Sequence, residues 1–221
     1  MLILGIDDAG RGPVIGPMVL AGVLIDDSKE NKLKELDVKD SKQIIPKKRE
    51  KLAREIKKIA EAYSTLIISV DEIDGKNNDK LNLNQREAVG MSMIINKLNK
   101  KKQQIKVVID CPSTNINSWK EYLEKFIIGG SNLNIVCEHK ADENHLVVGA
   151  ASILAKVTRD GEIKKLKEKL GVDFGSGYAA DPITRKFIYD SYEKFKGKGV
   201  FRESWGTIKR HKSQKVQKKL F

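Results

Sequence analysis

The chain has 221 residues and carries 42 lysines and arginines against 30 acidic residues, a formal net charge of +12. That length suits one sizeable domain, with an appendage, and the charge points to a polyanionic partner. Two cysteines, Cys111 and Cys137, exclude a disulfide framework, and no signal-peptide or bilayer-spanning pattern is found, so a cytoplasmic protein without a membrane is expected.

Taken in order, short apolar or β-branched runs predict strands over residues 2–7, 18–25, 63–70, 105–110 and 133–138. Helical periodicity fills the gaps. Pro46 suits a first helical turn, and Leu52, Ile56, Ile59 and Ala60 form a stripe behind it. Asn84 and Glu87 have the spacing of a capping box that opens a face of Ala88, Met91, Ile95 and Leu98. Residues 146–157 are apolar nearly all round, which predicts an enclosed helix. Beyond Gly171 the chain is broken by Gly175, Gly177 and Pro182, then a helix is expected over 183–196 and a basic segment from Ile208 onward. This order gives an α/β fold with a mixed sheet: early strands antiparallel, later ones joined by helical crossovers. We expect a catalytic domain over 1–172 and a helical cap with a basic tail over 173–221, the latter with few apolar residues for a core of its own.

The acids carry the chemical signal. Gly5-Ile6-Asp7-Asp8-Ala9-Gly10-Arg11-Gly12 reads as a buried strand ending in two adjacent carboxylates and a Gly-Arg-Gly loop. Adjacent carboxylates repel unless a divalent cation neutralises them, and bare acids serve no purpose in a protein built to bind phosphates. Val108-Ile109-Asp110 ends a second strand in the same way, and Asp142 follows the last strand. Open α/β sheets place ligands at such carboxyl edges. Asp7, Asp8, Asp110 and Asp142 are therefore expected to converge. Ser152 and Lys156 lie one turn apart on the enclosed helix and share a face, while Asp40-Ser41-Lys42 offers a hydroxyl and an ammonium to a nucleic-acid backbone. A snorkelling Lys156 or a merely solvated Lys42 is the plainer alternative.

Other chemistries fit less well. Cys137, His139 and His145 match no common zinc spacing. Gly10, Gly12 and Gly16 suggest a dinucleotide fingerprint, but Pro13 and Pro17 forbid the helix that it requires. A non-catalytic nucleic-acid-binding protein remains open, although at 6% aromatic residues the chain is poor in stacking platforms.

These motifs together resemble ribonuclease HII, the second type of ribonuclease H, in its archaeal form. The resemblance covers almost the whole chain and also rests on Pro13-Val14-Ile15-Gly16-Pro17, Lys140-Ala141-Asp142, Ala150-Ala151-Ser152-Ile153-Leu154-Ala155-Lys156-Val157 and Gly175-Ser176-Gly177-Tyr178. It implies a ribonuclease H-like mixed five-stranded sheet flanked by helices with a C-terminal helical extension. It also implies two Mg²⁺ or Mn²⁺ ions on Asp7, Asp8, Asp110 and Asp142. Gly10, Arg11 and Gly12 would sense the ribose 2′-hydroxyl, Tyr178 would stack on the sugar past the scissile phosphate, and Lys42, Ser152 and Lys156 would hold phosphates. The implied substrates are RNA/DNA hybrids and duplex DNA with embedded ribonucleotides, cut by in-line hydrolysis to a 5′-phosphate and a 3′-hydroxyl by a monomer. Another two-metal nuclease of the same fold is the alternative.

Three departures stand out. The family has Glu where this chain has Asp8, and Ala179-Ala180 replaces the usual Pro-Ser after Tyr178. Gln214, Leu220 and Phe221 have the spacing of a degenerate peptide that docks on the sliding clamp, but Gln217 stands where such peptides carry an aliphatic residue.

Overall fold

The computed structural model describes residues 1–38, 45–76, 79–100 and 103–217. Five strands, β1 (Leu2–Ala9), β2 (Met18–Asp26), β3 (Ala62–Ile68), β4 (Ile105–Asp110) and β5 (Leu133–Glu138), form one sheet in the order β3-β2-β1-β4-β5. β1 runs antiparallel to β2 and parallel to β4, and β4 runs parallel to β5. The helices are α1 (Glu30–Glu35), α2 (Pro46–Ile59), α3 (Val70–Ile73), α4 (Leu83–Leu98), α5 (Ile116–Glu124), α6 (Ala141–Asn144), α7 (Leu146–Leu170), α8 (Pro182–Phe195) and α9 (Gly206–Gln217). The mixed five-stranded α/β sheet predicted from the hydrophobic runs is thus observed.

The chain divides into two compact units. The first comprises residues 1–9, 19–67 and 81–159. Alternate residues of β1 face opposite sides of the sheet. Ile3 and Ala9 join a core with Val19, Val23 and Ile25 of β2, Leu52, Ala53 and Ile56 of α2, and Val147, Ala150, Ala151 and Leu154 of α7. Gly5 lies on this side, and a Cβ there would run into the backbone of Val147, so only glycine lets α7 come this close to β1. Leu4 faces the other way, beside Gly22 and the side chains of Ile94 and Leu98 of α4.

Element boundaries shifted where side chains capped the backbone differently from expectation. The capping box of α4 is Asn82 with Gln85, each side chain accepting the other's backbone N–H at 3.0 Å, not Asn84 with Glu87. Glu87 is instead buried. β3 stops at Ile68 because Ser69 and Glu72 form a capping box that draws Val70 into α3. The enclosed helix predicted over 146–157 continues as a polar-faced helix to Leu170.

The second unit comprises residues 10–18, 68–80 and 160–221. This end of the chain has more of a core than its composition suggests, and that core draws on residues outside 173–221. Phe174, Phe187, Phe195 and Phe201, four of the six phenylalanines, pack with Ile188, Tyr192, Val200 and Ile208. Val14 and Ile15 from the N-terminal loop and Ile163 from α7 complete the cluster, contributions that a reading of 173–221 by itself omits. Phe187 lies at its centre, its ring centroid 5.6–5.7 Å from those of Phe174, Phe195 and Phe201.

Candidate active site

Parallel pairing fixes the first part of the site. Ile6 is in register with Ile109, the last pair between β1 and β4, so Asp7 and Asp110 follow side by side where that pairing stops; Asp110 ends β4, whereas β1, expected to end at Asp7, runs on beside β2 to Ala9. Asp7 is only 4% exposed. Burial, then the charge of Asp8, and to a smaller degree that of Asp110, raise its carboxyl well above the usual range. Hydrogen bonds from the Ser152 hydroxyl and from the Asp8 N–H, the latter 2.7 Å from Asp7 Oδ1, oppose that rise without cancelling it.

A local turn brings the backbone just before the fourth acid against Asp110. Lys140 adopts a left-handed backbone with φ 58°, which lets the chain pass from β5 into α6 within two residues. The Ala141 N–H then donates to Asp110 Oδ1 at 3.0 Å, and Asp142 is buried in the next position. Asp110 is also in register with Glu138 on β5, whose carboxylate meets His145 Nε2 at 2.8 Å.

Asp8 and Asp110 act on Asp7 as charges, and all three are hard oxygen donors of the kind Mg²⁺ and Mn²⁺ prefer. The stress on a buried carboxyl with two acidic neighbours is what a divalent cation removes, so the donor set fits such an ion. The set is open: among the described residues no three His, Cys, Asp or Glu side chains enclose a metal position. Asp8, as the residue after Asp7 in β1, alternates to the other face of the sheet with a side chain one methylene shorter than Glu, and Asp7, Asp110 and Asp142 do not form such a group without it either. The zinc alternative loses further ground, because burial pushes the Cys137 thiol up to about 12, away from the thiolate that zinc requires.

Ser152 is 1% exposed on α7. Since its hydroxyl has a single proton and donates it to Asp7, the expected phosphate contact would draw on the same group. Lys156 follows one turn on, half-buried. Lys42 lies outside the described residues.

Gly10, Arg11, Gly12 and Tyr178 belong to the second unit. Gly10 has φ 85°, a conformation that other residues rarely adopt. The Val14 N–H donates to Gly177 O at 2.8 Å, which ties the loop to the turn carrying Tyr178. Within that turn Asp181 accepts from the Ser176 N–H and hydroxyl and from the Ile183 N–H, contacts that hold its carboxyl down to about 2. Tyr178 is 45% exposed, and its Cε1 stands 3.6 Å from where a Cβ on Gly12 would lie. The replacement of Pro-Ser by Ala179-Ala180 thus leaves the ring exposed beside the glycine loop.

One residue escaped the sequence reading. Arg202 is fully buried, and its guanidinium donates to the carbonyls of Gly10, Arg11 and Gly16. In so basic a chain a single arginine does not stand out. Its position between Phe201 and Trp205, after the apolar Val200, was the available sign that it points inward.

A mixed sheet in this strand order, with carboxylates where the pairing of its parallel strands β1 and β4 stops, defines a nuclease of the ribonuclease H-like class. The model of the family Ribonuclease HII matches residues 4–208. The chain is 41% identical to the ribonuclease HII of Methanococcus maripaludis strain C7 over 221 residues, covering all of this chain and 91% of that one. It is 40% identical to that of Pyrococcus furiosus over 214 residues, covering 95% and 91%. Among solved structures, the ribonuclease H2 of Pyrococcus horikoshii OT3 superimposes with a TM-score of 0.86 at 36% identity, covering 97% of this chain and 98% of that one. The PCNA:RNase HII complex of Archaeoglobus fulgidus gives 0.80 at 39% identity, covering 93% and 95%. The chain belongs to the ribonuclease HII family and is an RNase H endoribonuclease.

Proposed function

We propose that this enzyme hydrolyses the RNA strand of RNA/DNA hybrids and nicks duplex DNA on the 5′ side of an embedded ribonucleotide, the opening step of ribonucleotide excision. The observation that carries this reading is the buried Asp7 carboxyl, under the charges of Asp8 and Asp110, in a chain of net charge +12. Two Mg²⁺ or Mn²⁺ ions, bound by Asp7, Asp8, Asp110 and Asp142, would neutralise the acids and polarise the scissile phosphate towards in-line attack by water. Ser152 and the Ala141 N–H orient Asp7 and Asp110 for that task. Lys42 and Lys156, with Ser152 where its hydroxyl is shared, hold flanking phosphates. The Gly10-Arg11-Gly12 loop reads the 2′-hydroxyl that separates RNA from DNA, and the exposed ring of Tyr178 stacks on the adjoining sugar. The products are a 5′-phosphate and a 3′-hydroxyl. Residues 1–172 act as the catalytic domain of a cytoplasmic monomer and 173–221 as its cap; no described helix is long and apolar enough to cross a membrane.

A labelled duplex with one ribonucleotide tests the reading. Cleavage is expected with Mg²⁺ and not with a chelator, and an all-DNA duplex of the same sequence should remain intact. Equal cutting of the all-DNA duplex would instead mark a junction nuclease of the same fold, and tight binding without cleavage a binding module.

The Archaeoglobus fulgidus relative is solved in complex with PCNA, and this supports clamp docking here through Gln214, Leu220 and Phe221. Gln217, Leu220 and Phe221 carry no described side chains, so the support is the relative and the motif. Deleting the last eight residues is expected to weaken clamp binding in a pull-down or calorimetric titration while leaving cleavage of short duplexes unchanged. Clamp binding that survives the deletion would remove the idea.

A further inference from the structure

We infer that Arg202 is a positioning residue for ribonucleotide recognition: it sets the plane of the Gly10-Arg11-Gly12 backbone and so controls selectivity for the 2′-hydroxyl. This rests on the reading of that loop given above. The side chain is fully buried, a state a guanidinium tolerates only when its donors are met. Nε donates to Gly16 O at 2.9 Å, Nη1 to Arg11 O at 2.8 Å and Nη2 to Gly10 O at 2.6 Å. Its other face stacks on Trp205, with Cζ 5.0 Å from the ring centroid. The backbone at Arg202 is fixed as well, its N–H donating to Val14 O at 2.9 Å, beside the bridge between Ile15 and Phe201.

The geometry has a consequence for the loop. A trans peptide is planar, with its C=O and N–H pointing in opposite directions. Holding the carbonyls of Gly10 and Arg11 against one rigid fork therefore turns the N–H groups of Arg11 and Gly12 to the side away from the guanidinium. Gly10, at φ 85°, has no intrinsic preference for that arrangement and loses more backbone freedom than any other residue type on adopting it. The fork supplies the restraint. Lysine carries the same charge but cannot bind three carbonyls in one plane.

The test is Arg202→Lys, with the intact fold checked by circular dichroism and a thermal melt. The quantity measured is the ratio of Kd values for an all-DNA duplex and the same duplex with one ribonucleotide, in Ca²⁺ so that both stay intact. A variant that only folds less well binds both duplexes with less active protein and leaves that ratio unchanged. We expect the preference for the ribonucleotide to fall on the order of tenfold, the worth of about one hydrogen bond. A preserved ratio overturns the inference. Should Arg202→Lys fail to fold, Trp205→Leu loosens the same guanidinium from its other face and is held to the same outcomes. A native protein with no preference between the two duplexes would strike at the loop's assigned role instead, so the two failures are distinguishable.

Discussion

Replacing Asp7 with Asn is expected to lower cleavage of a ribonucleotide-containing duplex by ~10³-fold or more, the scale of the several kcal/mol that a metal site contributes to a transition state. Binding of the hybrid should change little, because the basic surface is untouched. The same substitution is expected to make the metal-free protein harder to unfold at neutral pH. In the native state burial and the charge of Asp8 keep the Asp7 proton on to a higher pH than in the unfolded chain. The native state therefore binds more protons than the unfolded one between the ordinary carboxylate range and the raised value, and stability falls as pH rises through that window. Asn carries no such penalty. The midpoint of thermal unfolding in chelator should be higher for Asp7→Asn than for the native protein at pH 7, by about 2–4 °C for each kcal/mol relieved. That gap should close towards about pH 4, where an unfolded aspartate also holds its proton. A variant that loses activity and is also less stable at pH 7 would mean that Asp7 is a structural carboxylate.

Asp8→Glu should raise the rate, up to on the order of a hundredfold, since displacements of ~1 Å at a reacting centre cost that much. Asp8 sits opposite Leu20 in the β1–β2 register and leaves the strand on the other side from Asp7. A longer arm is what allows such a residue to reach round to a shared ion. The gain should appear in kcat, with KM little changed, because substrate contacts elsewhere are unaffected. A reversion that slows turnover would show that the open donor set found here is not limited by the length of this side chain.

Much of the site could be read from the chain because strands announce their ends. Ile6-Asp7 and Ile109-Asp110 each close an apolar run, and the parallel pairing of β4 with β5 follows from the helical segment between them. The Asp7–Ser152 contact was half visible: a polar residue in an otherwise apolar helix needs a partner, but nothing local says which. Capping went astray at α4 because Asn82-Gln85 and Asn84-Glu87 have the same spacing, and burial of Glu87 decided between them. The second core was missed for a different reason. Its members come from residues 14–15, from 163 and from 174–208, and periodicity within a window cannot join segments that far apart. Arg202 belongs to the same class, since its carbonyl partners lie 186 to 192 residues upstream.

The most direct measurement is a titration of Mn²⁺ against thermal unfolding of the native protein, Asp7→Asn and Asp110→Asn. Selective binding to the folded state raises the midpoint with ligand concentration. A rise in the native protein that is absent from both variants is the predicted result. An equal rise in all three would place the ion elsewhere and contradict a site built on these strand-end acids.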